Sequence, residues 1–451
     1  MKSIILSAAF IFLNATLLPA QEDAAVSLSL QQCVQIAVER NINVQIARIN
    51  KEKSAYKISE TRAALLPQVS LGGSFLDYFK IPVTILSGDL IGQPGTTMPL
   101  EMSVKYNTSA NVSLNQVLYN QTALTALKLS KKSDDLNRLG IEKASEAMAQ
   151  EVAKLYFLAL TSAEQKSLIE QNIQRTQKMT DITKTLVDNG MGKKVDYERI
   201  SVSLENLYTQ LSNTEALHEQ QLNLIKYMLE IPTSQSILLT DSAAMRLLPA
   251  EPVSMDDFSN HTDIQILESQ KELAKLNQKM INDGYLPSLS LTGQYAYSGM
   301  RTGFKNYFNN SPENKWYGSS YIGINLSIPI FDGMEKRSKS RQAKLEYQKS
   351  TLTLDDTKEK FSVDYKNAMN NYYNNKSNVE RQQQNINLAE KVYTETALRY
   401  REGLSTMSDL LQDEIGLSDA QSSYMNALYN LKDAELNIMS LNGEIKNLYN
   451  K

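Results

Sequence analysis

Apolar positions recur along this chain with two distinct periods. In four short stretches they alternate with polar ones. Leu289, Leu291, Tyr295 and Tyr297 are interleaved with Ser288, Ser290, Thr292 and Gln294, and Ile322, Ile324, Leu326, Ile328 and Ile330 with Gly323, Asn325 and Ser327. Val69, Leu71 and Phe75 face away from Gln68, Ser70 and Ser74, and Val104, Tyr106, Val112 and Leu114 from Lys105, Asn107, Asn111 and Ser113. A period of two cannot sit on one helix face, so it predicts strands at about 67–76, 102–118, 286–298 and 319–331, each with a polar side. The second period is helical. Residues 334–402 hold no Gly or Pro, and residues 121–189 hold only Gly140, so each tract predicts a rod of about 100 Å. Return helices are predicted at about 194–230 and 404–441. Tyr197, Leu204, Leu211, His218 and Ile225 step by seven, and Leu417, Ala420, Tyr424, Ala427, Leu431, Ala434, Ile438 and Leu441 form a two-per-heptad seam. His218 therefore reads as a satisfied seam residue.

The pattern occurs twice. Leu66-Pro67-Gln68-Val69-Ser70-Leu71 returns as Leu286-Pro287-Ser288-Leu289-Ser290-Leu291, and Val112 to Asn120 returns as Ile324 to Asp332. The Gly190 turn followed by Asp196 returns as Gly403 followed by Asp409. The chain reads as a first repeat over 21–230, an equatorial linker over 231–260, a second repeat over 261–441 and a tail over 442–451. Gly/Pro/Asn-rich loops join the strands of each pair, at roughly 76–101 and 299–318, the second with Phe304, Tyr307, Phe308, Trp316 and Tyr317.

Ahead of the repeats, Lys2, an apolar run from Ile4 to Leu18 and Pro19-Ala20 predict a cleaved export signal over 1–20. Cys33 fits the apolar stripe of a helix that Ser29 and Gln32 open with a capping box. The chain has 451 residues, a formal net charge of -3, one cysteine and two histidines. That balance disfavours a nucleic-acid partner, the single cysteine excludes a disulfide framework and a multi-thiolate metal site, and His218 and His261 lie too far apart to suggest a local metal motif. No nucleophile elbow, phosphate-binding loop or zinc-helix motif is present, so no catalytic residue, metal or cofactor is assigned.

Alternation alone also fits a soluble antiparallel sheet wet on one face. The long rods favour a membrane reading, because tilted strands of about 9–11 residues span a bilayer. Four strands cannot close, and an open edge in hydrocarbon leaves backbone groups unpaired. Two copies would supply eight strands with a side-chain-filled interior, whereas three would supply twelve around a passage. A secreted coiled-coil stalk with a structural or adhesive role is the alternative, and a porin-like nutrient channel a lesser one.

The duplicated Leu-Pro-x-x-Ser-Leu segment, the Leu118-Tyr119-Asn120 and Ile330-Phe331-Asp332 strand exits, and Tyr400-x-x-Gly403 followed by Asp409-Leu410-Leu411 resemble the TolC-like outer membrane efflux proteins of Gram-negative bacteria. The resemblance runs from about Leu28 to Leu441. It implies an α+β membrane protein: a homotrimer with a twelve-strand outer-membrane β-barrel, long helical hairpins forming a periplasmic α-barrel, and a mixed equatorial belt. It further implies a passive exit duct for efflux or type I secretion, working with a periplasmic adaptor and an inner-membrane RND or ABC transporter. Its expected surroundings are outer-membrane lipid.

Such proteins narrow the duct near the second-copy turn with acidic side chains. Asp409 matches the first acidic position, Gln412 stands at the second with Asp413 beside it, and Asp196 is the first-copy counterpart of Asp409. Tyr400 matches the tyrosine before the turn, and Ser405 stands where some members carry a basic residue. The resemblance thus implies a constriction at Asp409, Asp196, Gln412, Asp413 and Tyr400, with adaptor docking at the tips Gly190, Met191, Gly403, Leu404 and Ser405. Carboxylates in a helix's first turn also favour its macrodipole by about 0.3–1 kcal/mol, which is a purely structural reason for Asp196 and Asp409.

Overall fold

The computed structural model describes residues 26–87, 92, 94–244, 247, 258, 260–310 and 312–449. The expected signal over 1–20 and much of 245–259 lie outside the described residues. The chain divides into two compact units, one drawn from 1–44, 145–253 and 365–451 and the other from 45–144 and 254–364. Neither unit coincides with one of the expected repeats. Each takes residues from both 21–230 and 261–441.

The second unit is built on a four-stranded antiparallel sheet. Its strands are β2 (Gln68–Asp77), β5 (Tyr106–Tyr119), β7 (Ser288–Arg301) and β8 (Trp316–Ser327), in spatial order β2-β5-β7-β8. The central β5–β7 pairing runs from Tyr106↔Arg301 to Tyr119↔Leu289 with one irregularity between Val117 and Tyr119. β8 was expected to reach 331 but pairs only to Ser327, opposite Ser288. Pro287 and Pro329 lack an N–H, so the ladder has no donor with which to continue. The stretch expected as a loop at 76–101 contains a separate hairpin of β3 (Val83–Ser87) and β4 (Thr97–Glu101). Pro99 is tolerated there because a two-stranded ladder leaves alternate N–H groups facing outward.

Both sheet exits become helix starts. Asn120 Oδ1 accepts from the Ala123 amide (3.1 Å) at the start of α3 (Gln121–Asp188), and Asp332 Oδ2 accepts from the Lys336 amide (3.2 Å) at the start of α6 (Glu335–Arg401). Those side chains satisfy donors that a helix leaves orphaned in its first turn, which gives the Asn120 and Asp332 positions a local purpose. Most of α2 (Ile42–Ala63) and α5 (Thr262–Asp283) also belong to this unit.

In the other unit α1 (Leu30–Arg40) opens on the expected capping box, with Ser29 N donating to Gln32 Oε1 (2.9 Å) and Gln32 N to Ser29 Oγ (3.4 Å). Cys33 is fully buried on its apolar stripe, and burial pushes its thiol up to about 12. A short parallel pair, β1 (Val26–Leu28) with β6 (Ile237–Leu239), flanks it. Asp241 Oδ2 accepts from the Leu30 amide (2.7 Å) and from Tyr156 Oη (2.8 Å), tying that pair to α3.

The return helices are α4 (Lys194–Met228) and α7 (Met407–Leu441), the latter starting three residues later than expected because Thr406 caps it. Along α7, Leu417, Ala420, Ala427, Leu431, Ala434 and Ile438 of the expected seam are buried, while Tyr424 and Leu441 are half-buried. Beneath this seam Lys432 and Glu435 form a 2.9 Å ion pair with side chains only 3% and 4% exposed. His218 keeps its seam position and bonds the Ala159 backbone, but its Nδ1 is buried without a partner, so its polar atoms are not all satisfied. The tail folds into a short 3₁₀ turn, Glu444–Leu448.

Among the described residues no helix is long and apolar enough to cross a membrane.

Candidate functional site

The sheet has two chemically opposite faces. Register places Val69, Leu71 and Phe75 of β2, Thr108, Ala110, Val112 and Leu114 of β5, Leu289, Leu291, Tyr295 and Tyr297 of β7, and Ile322, Ile324 and Leu326 of β8 on one side. The other side carries Gln68, Ser70, Ser74, Asn107, Ser109, Asn111, Ser113, Asn115, Ser290, Thr292, Gln294, Ser298, Ser319, Tyr321 and Asn325. Cross-strand bonds knit that polar side: Ser70 to Ser113 (2.7 Å), Ser74 to Ser109 (2.8 Å) and Tyr321 Oη to Gln294 Oε1 (3.1 Å). The only charged residues in the four strands are Asp77 and Arg301, both at strand ends and both in register with the apolar face. Leu76, Val117 and Met300 also fall on the polar side, and Gln116 and Ser320 on the apolar one. A face chiefly of hydroxyls and amides without charge suits a hydrated wall, and the chiefly apolar exposed face suits hydrocarbon.

The helical turns lie in the other unit. Gly190 and Gly403 adopt φ of 72° and 75°, the left-handed conformation in which a side chain is strained. At each turn the following amide reaches back five residues: Met191 N to Leu186 O (2.8 Å) and Leu404 N to Arg399 O (2.8 Å). Gly190 N also reaches Val187 O (2.9 Å) and Gly403 N reaches Tyr400 O (3.0 Å), which completes the double bond pattern that closes a helix with glycine. Met191 and Leu404 are consequently thrust into solvent.

The two helix starts beyond these turns differ. Asp409 Oδ2 accepts from Thr406 N (3.0 Å), Thr406 Oγ1 (2.7 Å) and Ser405 Oγ (3.2 Å), while Asp409 N donates to Thr406 Oγ1 (3.2 Å). Those bonds, led by the Thr406 hydroxyl, hold its carboxyl below the usual aspartate value. Asp196 stands in the first turn of α4, whose cap residue Lys193 makes no side-chain bond. Ser405, in place of a basic residue, thus binds Asp409 itself. Gln412 is exposed and Asp413 half-buried one turn further along α7. Tyr400 packs against a cluster of Met179, Ile200, Tyr393, Met407, Leu410 and Leu417, with its hydroxyl 3.5 Å from Thr183 Oγ1. Arg199 of α4 donates to Ser408 Oγ of α7 (3.0 Å), joining the two starts.

Sequence reasoning missed Glu414, a buried carboxyl on the stripe Leu410, Glu414, Leu417, Gln421. Thr176 Oγ1 donates to its Oε1 and Ser203 Oγ to its Oε2 (3.2 Å), so it links α3, α4 and α7. The heptad seam gave no signal for it, because carried back from Leu417 that seam falls on Asp413 and Leu410 rather than on Glu414. Burial raises its carboxyl above the usual range, outweighing the two hydroxyls and the Arg175 charge. A raised folded-state value means that the folded protein holds the proton more tightly than the unfolded chain does. The resulting stabilisation is full below the unfolded glutamate value and is lost as pH rises through the folded one. Thermal unfolding of the solubilised protein, compared with Glu414→Gln, should show the wild type losing relative stability across that interval. A pH-independent difference would rule the effect out.

The sequence profile of the outer membrane efflux protein family matches residues 33–228 and 258–444. The chain is 21% identical over 437 residues to outer membrane protein TolC of Salmonella enteritidis, covering 91% of this chain and 81% of the relative. It is also 21% identical over 427 residues to the alkaline protease secretion protein AprF of Pseudomonas aeruginosa, covering 92% and 84%. The structure resembles the outer membrane protein VceC of Vibrio cholerae with a TM-score of 0.71 at 13% identity, covering 92% of this chain and 96% of that one, a likeness of fold. With both helical segments and both strand pairs inside the matched regions, the chain belongs to the outer membrane efflux protein family and is an outer-membrane channel of efflux or secretion.

Proposed function

We propose that three copies of this chain close a twelve-strand barrel in the outer membrane and a helical tube beneath it, forming the passive exit duct of a tripartite efflux or type I secretion system. The observation that carries this reading is the two-faced sheet with unpaired margins at β2 and β8. A sheet apolar on one side and polar on the other can neither bury its apolar side in water nor leave its margins open in lipid, so it needs further strands. Twelve leave a hydrated passage, where eight would be filled. The sequence duplication supplies four strands and two helical hairpins per copy. Solute moves down this tube without chemistry by the wall, and energy comes from an inner-membrane RND or ABC transporter through a periplasmic adaptor docked at Gly190, Met191, Gly403, Leu404 and Ser405.

The test is mass and conductance together. Protein extracted from outer membranes in mild detergent should run as a trimer and give discrete conductance steps in planar bilayers. A detergent-indifferent, non-conducting monomer would instead support the secreted stalk.

Asp409 has both roles in this reading, capping α7 and lining the constriction with Asp196, Gln412, Asp413 and Tyr400. Threefold repetition makes one carboxylate into a ring that attracts cations and repels anions. Asp409→Asn should lower cation preference in reversal-potential measurements. Unchanged selectivity would leave Asp409 as a helix cap alone.

A further inference from the structure

The segment after β7 is a built platform with a definite direction. Its 3₁₀ turn, Phe304–Tyr307, carries Tyr307, whose hydroxyl lies 2.6 Å from Thr108 Oγ1 and donates to the carbonyls of Tyr106 (3.4 Å) and Gly299 (3.5 Å). The Phe304 ring stands 6.0 Å from Phe75, 5.9 Å from Tyr106 and 5.6 Å from Phe308. Phe75, Tyr106 and Thr108 all share the register of Val112 and Leu114. The segment therefore folds down over the apolar face and away from the polar one.

Arg301 holds it there. Fully buried, Arg301 donates through Nη1 to Lys315 O (2.8 Å) and Met300 O (2.9 Å) and through Nη2 to Asn314 Oδ1 (3.1 Å). Its guanidinium lies 5.0 Å from the Tyr307 ring and 6.0 Å from that of Trp316. The space a side chain would take at Gly299 is bounded by the Trp316 indole and this guanidinium. On the far side Glu313 Oε2 accepts from Thr302 N (3.1 Å), Thr302 Oγ1 (2.7 Å) and Asn306 Nδ2 (2.7 Å). Outward this frame presents two rings among polar groups: Phe304 is 51% and Phe308 79% exposed, beside the exposed Lys305, Asn309, Glu313 and Lys315.

We infer that this platform is a membrane-surface anchor: it rests on the outer leaflet at headgroup level, with Phe304 and Phe308 at the acyl boundary, and does not cover the duct mouth. The inference rests on the reading of the apolar strand face as the lipid wall. The lipid surface is the favoured occupant because the platform continues that wall at its end, where the strands gain their only charges, Asp77 and Arg301. Aromatic rings with a wet edge and an apolar body collect at that depth, and the Arg301 guanidinium is held there by two backbone carbonyls, the Asn314 amide oxygen and two rings, with its buried Nε alone left unpaired.

Trp316 is the sole tryptophan, so fluorescence can read the depth directly. In conducting vesicles, native Trp316 should be quenched by lipids carrying a nitroxide near the headgroup and little by aqueous iodide. In a Trp316→Phe background, Phe308→Trp, with Phe304→Trp as a second site, should show the same preference and a blue-shifted emission. Adding Arg301→Gln should shift the introduced indole from lipid quenching to iodide quenching. Iodide quenching without Arg301→Gln, or quenching by neither agent, as against a second copy, overturns the anchor. Absence of conductance in the same vesicles instead overturns the duct reading, so the two failures are separable.

Discussion

Val112→Lys should abolish insertion into the outer membrane, whereas Asn111→Lys, one residue away on the same strand, should leave insertion intact. The two side chains leave opposite sides of β5, because the pleat alternates at every residue. Val112 faces Leu71 and Tyr295 across the ladder, and Asn111 faces Gly72 and Ala296. The small residues at 72 and 296 give a lysine room on the polar side. On the apolar side a lysine at mid-bilayer depth costs about 2–4 kcal/mol in one barrel strand, and three copies would repeat the cost in one assembly. The check is the amount of protein in outer-membrane fractions and its mass in detergent. Val112→Lys should be missing from the membrane and degraded. Asn111→Lys should be present and should shift conductance towards anions, since no other charge lines that wall. Equal insertion of both would overturn the assignment of faces.

Lys432→Met should be the most destabilising change in the helical unit. The ammonium is the cation 2.9 Å from Glu435 Oε2, an oxygen that also accepts from the Leu247 amide at 3.4 Å. It lies 6.0 Å from the Phe157 ring centroid, in a setting with almost no solvent. Removing one partner of a buried pair strands the other charge in low dielectric, at about 3–5 kcal/mol. Pairing Lys432→Met with Glu435→Leu removes both charges, and such replacements are often neutral. The double variant should therefore recover most of the loss. Denaturant unfolding of the solubilised protein reads both numbers, and a double variant as unstable as the single one would contradict the account.

The strands and rods were legible because each rests on a local rule, alternation in one case and freedom from Gly and Pro in the other. The β3–β4 hairpin was not. Pro82, Gly88, Gly92, Pro94, Gly95 and Pro99 give that stretch the composition of a loop, and only the pairing of Ile85 with Pro99 and its neighbours makes it a ladder. At the helical turns, Gly190 and Gly403 were legible from the chain because positive φ selects glycine, whereas the reciprocal cap of Thr406 with Asp409 was not read and the helix start was placed three residues early. Glu414, Arg199 and the Lys432–Glu435 pair were hidden. Glu414 and Arg199 owe their character to helices far away in sequence, and the Lys432–Glu435 pair, although three residues apart on one helix, meets Phe157 and the Leu247 amide from elsewhere; none of the four stands on the expected seams. Phe304, Tyr307 and Trp316 could be counted from the sequence, but the face on which they fold depends on register across β5 and β7.

The bare margins of β2 and β8 have a consequence for biogenesis. A newly exported chain carries two ready templates for indiscriminate strand pairing, flanked by Val69, Leu71, Ile322 and Ile324. Under the proposed three-copy assembly, overproduction should therefore yield aggregates in the periplasm unless escort factors shield those margins until further chains pair with them.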